Sequence, residues 1–170
     1  DKRADNGMLE CYYSLYQQNN DMVGWIKIPD TPVDYPVVKY SDNEFYLHKN
    51  FNKEYQFSGI PFLDYQSNDE SVNKIIYAHN MKNGTMFASL ADYEDKSFYD
   101  AHKNIMYDTL YDKGEYEIVY AFTTKVGASN EFKYYNYADI ESEERFNEYV
   151  TQAKSRSFYD TGVNTVYGDS

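Results

Sequence analysis

Apolar positions follow helical spacing at the start of the chain, change to alternation near Gly24, and return to helical spacing only late. Over residues 7–18, Met8, Leu9, Tyr12, Leu15 and Tyr16 fall on one helical face, which predicts an amphipathic helix packed on the main body. From Gly24 the runs are short. Trp25-Ile26-Lys27-Ile28 and Val33-Asp34-Tyr35-Pro36-Val37-Val38 read as two strands joined by a turn at Pro29-Asp30-Thr31-Pro32. Pro36 cannot donate to a ladder, so the second strand is expected at an edge or beside a bulge.

A helical turn is expected at 43–47, strands at 59–63 and 73–78, and short helices near 86–91 and 96–102. The best hairpin signal joins 104–110 to 116–123 through Asp112-Lys113-Gly114, with Tyr116, Ile118, Tyr120 and Phe122 sharing one face. Residues 140–154 read as the strongest helix, with the stripe Phe146, Tyr149, Val150, Ala153 and acidic residues at its start. Residues 163–167 look like the approach to another strand. Short strands with helices between them point to a mainly β barrel or sandwich with helical decorations. With no internal repeat or low-complexity linker, the chain reads as one domain.

Composition narrows the function. A chain of 170 residues is long enough for a real core, and its 21 tyrosines suit a semi-polar groove, each burying a ring while keeping a hydroxyl for water. The formal charge of −12, from 16 basic and 28 acidic residues without a basic cluster, argues against nucleic-acid and anionic-membrane partners. A single cysteine, Cys11, excludes an internal disulfide or a multi-cysteine metal site. It reads as a small side chain at a helix edge, with no histidine near it in sequence.

Metal chemistry fits poorly. There is no HExxH or CxxC, no calcium-loop spacing, and the histidines at 48, 79 and 102 are far apart. A glycosidase-type carboxylate pair stays open, because sequence does not measure the separation of acidic side chains. His79 follows Ile75-Ile76-Tyr77-Ala78 and opens a polar loop, so it suits either an ordinary loop histidine or a general acid–base at a strand end. His48 and His102 read as partly exposed helix-end residues. Asn83-Gly84-Thr85 matches a glycosylation sequon but reads as a tight turn, with Thr85 capping the next helix.

Several motifs, in order, resemble the class B sortases. They are Asp21-Met22-Val23-Gly24-Trp25-Ile26-Lys27-Ile28 with its continuation Val33-Asp34-Tyr35-Pro36-Val37-Val38, then Asn43-Glu44-Phe45-Tyr46-Leu47 and Gly59-Ile60-Pro61-Phe62-Leu63-Asp64. The most specific is Ile75-Ile76-Tyr77-Ala78-His79-Asn80-Met81, followed by Gly84-Thr85-Met86-Phe87 and Ser97-Phe98-Tyr99. The late helix is the feature that separates class B from simpler classes.

The resemblance implies an eight-stranded β-barrel, of which residues 21–170 are expected to supply all but the C-terminal strands, preceded by an N-terminal helical extension over residues 1–20. It implies a cysteine transpeptidase of the extracellular membrane face, anchored by a segment upstream of Asp1 and needing no cofactor or metal. Such an enzyme cuts a sorting signal after threonine and joins the surface protein to a cell-wall or pilin amine. Its thiolate forms a thioacyl intermediate, a histidine moves protons on and off the amines, and an arginine steadies the oxyanion.

His79 matches the family histidine; Tyr77, Asn43, Leu47 and, in a loosely aligned loop, Phe132 match the signal-binding groove. Ala78 replaces the usual glycine. The family's cysteine and arginine fall beyond Ser170, so residues 1–170 alone are expected to be inactive, with open sheet edges that favour self-association. A non-catalytic extracellular peptide-binding module on the same barrel is the alternative.

Overall fold

The computed structural model describes residues 1–168; Asp169 and Ser170 lie outside it. Its middle is built by three strands, β1 (Met22–Lys27), β2 (Asp34–Val38) and β5 (Asn104–Thr109). β1 pairs antiparallel with both of the others. Two very short strands, β3 (Phe62–Leu63) and β4 (Ile76–Tyr77), extend the sheet on one side, and β6 (Glu115–Glu117) extends it on the other. The order β4-β3-β2-β1-β5-β6 forms one curled half-barrel sheet.

The alternating pattern explains the middle. Val23 and Ile26 of β1 pack with Ile28, Val33, Val37 and Tyr107 inside the curl. Met22 and Trp25 face the opposite side, where Met8, Leu110, Tyr12, Leu15 and Tyr16 meet them. Positions 22 and 25 can share a face only if an extra residue is inserted, and the register does shift between Met22 and Gly24. The first helix, α1 (Glu10–Gln18), therefore lies on the outer face as its stripe predicts, with Met8 and Leu9 buried just ahead of it. Pro36 pairs with Trp25, while β2 meets β3 only at Val38, so the flank of β2 beside Pro36 is an edge.

Elsewhere the apolar runs overstate the strands. Of 59–63 and 73–78, only two residues each are strand; Ile60 is buried without pairing, and Pro61, also buried, reaches β2 only through its carbonyl, which accepts from Val38 N at 3.1 Å. The return strand of the hairpin stops at Glu117. Ile118 N still donates to Lys103 O, but from Val119 on the backbone bonds to the segment after the last helix: Thr161 Oγ1 donates to Val119 O, and Phe158 N to Ala121 O. Residues 163–167 form no strand.

The expected helix at 86–91 is displaced to a 3-10 helix at Ala88–Glu94, because Met86 sits at φ 55°, in the left-handed region. Thr85 does not cap it; its hydroxyl donates to Asn83 instead, across the turn that Gly84 closes at φ 84°. Asp95 caps α2 (Lys96–Ala101) through Ser97 N, and Ser142 caps α3 (Glu143–Arg156) through Arg145 N. That cap starts α3 later than the apolar pattern does, leaving Ile140 buried just before it.

Candidate active site

The site forms where the end of β4 meets a 3-10 turn, Phe45–His48. Asp42 starts the turn, its Oδ1 accepting from Glu44 N at 2.9 Å and Phe45 N at 2.8 Å. These two N–H donors hold its carboxyl below the ordinary value of 3.8. Tyr46 anchors the turn from below. It is buried, donates to Asp21 Oδ2 at 2.6 Å and accepts from Asn19 Nδ2 at 3.0 Å.

β3 and β4 supply the opposite wall. Phe62 pairs with Tyr77, their ring centroids 5.4 Å apart. Asp64, 2% exposed, gathers three donors: Tyr77 Oη at 2.8 Å, Asn43 Nδ2 at 3.1 Å and Gln66 N at 2.9 Å. Asn43 Oδ1 in turn accepts from Tyr65 N at 2.9 Å. Burial first, then the bond to Asp64 and its negative charge, push the Tyr77 hydroxyl well up, so Tyr77 stays a donor. This buried carboxylate ties the 3-10 turn to both short strands.

His79 is half-buried just past β4. Its Nε2 lies 2.7 Å from Leu47 O. A carbonyl only accepts, so Nε2 carries the proton, and Nδ1 has no hydrogen-bond partner among the described residues. Two aromatic rings stack against the imidazole: His48 at 5.2 Å and Phe57 at 6.1 Å between centroids. His48 is itself held, its Nδ1 donating to Phe57 O at 2.8 Å. Gly59 permits the arrangement. At φ 57°, a Cβ there would stand 2.4 Å from Leu47 O, the carbonyl that holds His79. Behind the histidine, Phe87 N donates to His79 O at 2.9 Å and Asn80 bridges Met86, so the loop from 79 to 87 closes on itself.

Asn43, Leu47, Tyr77 and His79 line one cleft of about 450 Å³, together with Phe62, Ala78 and Tyr135. A second hollow, about 710 Å³, adjoins it across Ala78 and opens over Ile105, Ile118 and Tyr120. The structure does not bring Phe132 to the cleft. It is 3% exposed, packed among Phe122, Tyr137 and Tyr149, with the Arg156 guanidinium 5.4 Å from its ring centre. An aromatic residue in a weakly patterned loop gives no sign of which way it points.

His102 closes α2, its Nδ1 on Phe98 O and its ring stacked on Phe98. Cys11 is exposed on α1. His48, Phe57, Asp64 and Tyr135 join the site without being singled out by sequence. Asp64 left a signal, as a charged residue closing the apolar run from Ile60 to Leu63, and His48 left one as one of three histidines; Phe57 and Tyr135 left none. The geometry amounts to a fixed imidazole, one nitrogen free, at the rim of a mostly apolar cleft. Such a group gives or takes a proton.

No protein-family model matches the chain. Listeria monocytogenes sortase B is 38% identical over 151 residues, covering 88% of this chain and 59% of that protein. Among solved structures, a Bacillus anthracis protein similar to sortase B has a TM-score of 0.88 and 30% identity, over 99% of this chain and 78% of that one. The Staphylococcus aureus sortase B–substrate complex has a TM-score of 0.83 and 30% identity, over 94% and 72%. The chain belongs to the class B sortases. Within the class B sortase motifs, the run from Ile75 to Met81 is the one that carries His79 to the cleft. The chain spans about three fifths of the length of the curated sortases it matches, 59% of one and 64% of the other.

Proposed function

We propose that the protein, at the full length of its family, is a cysteine transpeptidase that cuts a sorting signal after threonine and transfers the surface protein to a cell-wall or pilin amine. We place it at the extracellular face of the membrane. In this reading the cleft takes the signal peptide, with Leu47 and Phe62 offering apolar surface and Tyr77 and Asn43 forming the wall tied by Asp64.

The reaction then runs in two halves. A thiolate adds to the threonine carbonyl, the carbon–nitrogen bond breaks, and His79 protonates the departing amine from Nδ1. An incoming amine next attacks the thioester, His79 takes the amine's proton, and the thiolate leaves. Both the thiol and an oxyanion-steadying arginine are expected from the longer protein, since Cys11 sits on α1 and neither Lys154 nor Arg156, on the late helix α3, matches the family arginine.

The observation that carries the reading is the His79 imidazole, pinned at Nε2 and open at Nδ1 beside the cleft. The test is His79→Ala in the full-length protein, with a fluorescent signal peptide and an amine acceptor. Turnover is expected to fall on the order of 10²–10⁴-fold with peptide binding retained. Near-normal turnover would sink the proposal.

A further inference from the structure

We infer that His48 is a positioning residue for the transfer reaction, acting through His79 rather than on the substrate. The inference rests on the acid–base reading of His79 and goes beyond it.

Three features converge on the His79 ring. Nε2 donates to Leu47 O at 2.7 Å. His48, the next residue, lays its own ring on the imidazole at 5.2 Å and an interplanar angle of 26°. Phe57 adds a second ring at 25°, and its carbonyl holds His48 Nδ1 at 2.8 Å. A single hydrogen bond fixes one atom of a ring but leaves it free to swing about that bond. Stacked rings remove the swing, so Nδ1 is aimed in one direction.

His48 has little other reason to stack there. It is exposed, at the end of a one-turn 3-10 helix, and contributes to none of the buried clusters. Its side chain touches the two rings, the Phe57 carbonyl and, more loosely, Tyr55 at 6.3 Å, while its backbone carbonyl accepts from Gln56 N at 2.9 Å. An exposed aromatic side chain restrained at one ring nitrogen and stacked over the candidate proton carrier is a support.

The requirement is for a flat ring, so a phenyl group serves and a methyl does not. The experiment uses the full-length protein and its His48→Ala and His48→Phe variants, with kcat and KM for a signal peptide and the ¹⁵N shifts of the His79 imidazole. In His48→Ala, kcat is expected to fall by about tenfold while KM stays within about twofold, as misaimed reacting groups cost rate rather than binding. The His79 spectrum should change from one Nε2–H tautomer to a mixture. His48→Phe should restore both kcat and the single tautomer.

Wild-type kcat and tautomer in His48→Ala, with His79→Ala inactive, would overturn this inference alone. His48→Phe as slow as His48→Ala would overturn it as well. Full activity in His79→Ala would instead remove the acid–base reading on which it stands.

Discussion

The middle of the sheet and its β3–β4 end are held together by different means. In the middle, β1 shares five register pairs with β2 and four with β5, over a closely packed core of Ile26, Ile28, Val33 and Val37. At the other end, β3 and β4 share two pairs, and the work is done by specific bonds: Asp64 to three donors, Tyr46 to Asp21 and Asn19, His79 to Leu47. A ladder tolerates change at any one rung. A site built from single bonds does not, but it can place a side chain where no regular strand would carry it.

That contrast breaks most visibly in the core. Ile26→Ala should cost about 2–5 kcal/mol of stability in a denaturant titration, with turnover unchanged in the protein that stays folded. A loss of turnover at unchanged stability would mean that the middle of the sheet also tunes the site.

The complementary change is Asp64→Asn. Asn43 Nδ2 and Tyr77 Oη already share Asp64 Oδ2, so an amide that keeps its oxygen there turns its NH2 toward Gln66 N and leaves that donor without an acceptor; about 1–3 kcal/mol should be lost, together with a rise in KM for the signal peptide. An unchanged KM would detach the Asp64 network from the cleft.

The smallest effect concerns Asp42. Its carboxyl ionises below its usual 3.8 in the fold, so its contribution is present above that pH and disappears as pH falls through the lower folded value. Amide exchange at Phe45 should quicken over that acid range, and Asp42→Asn should flatten the dependence. Equal acid sensitivity in the variant would assign it to another group.

The same contrast governs what the sequence reveals. The middle strands are legible because Ile26, Ile28, Val33 and Val37 sit at alternating positions, and α1 because its stripe meets Met22 and Trp25. Runs such as Gly59 to Leu63 are apolar because they are buried, which is not the same as being paired; Ile60 shows the difference. Asn43, Leu47, Tyr77 and His79 are recognised through motifs, but the bonds between them span 32 residues for His79–Leu47 and 21 for Asn43–Asp64. No local pattern encodes those distances. Phe132 and His48 illustrate the two limits: an aromatic residue placed in the groove lies in the core, and a histidine that does end a helix, as expected, also lies against the site, which its sequence position does not show.

The bond from His79 Nε2 to Leu47 O has a kinetic meaning as well as a geometric one. A carbonyl accepts from neutral imidazole and, more strongly, from imidazolium, and in the proposed cycle the proton that comes and goes resides on the other nitrogen. The ring therefore passes between its two charge states without flipping, exchanging partners or waiting for solvent to rearrange around Nε2. Each half of the proposed transfer cycle would then begin with the imidazole already in the orientation that the previous half left behind.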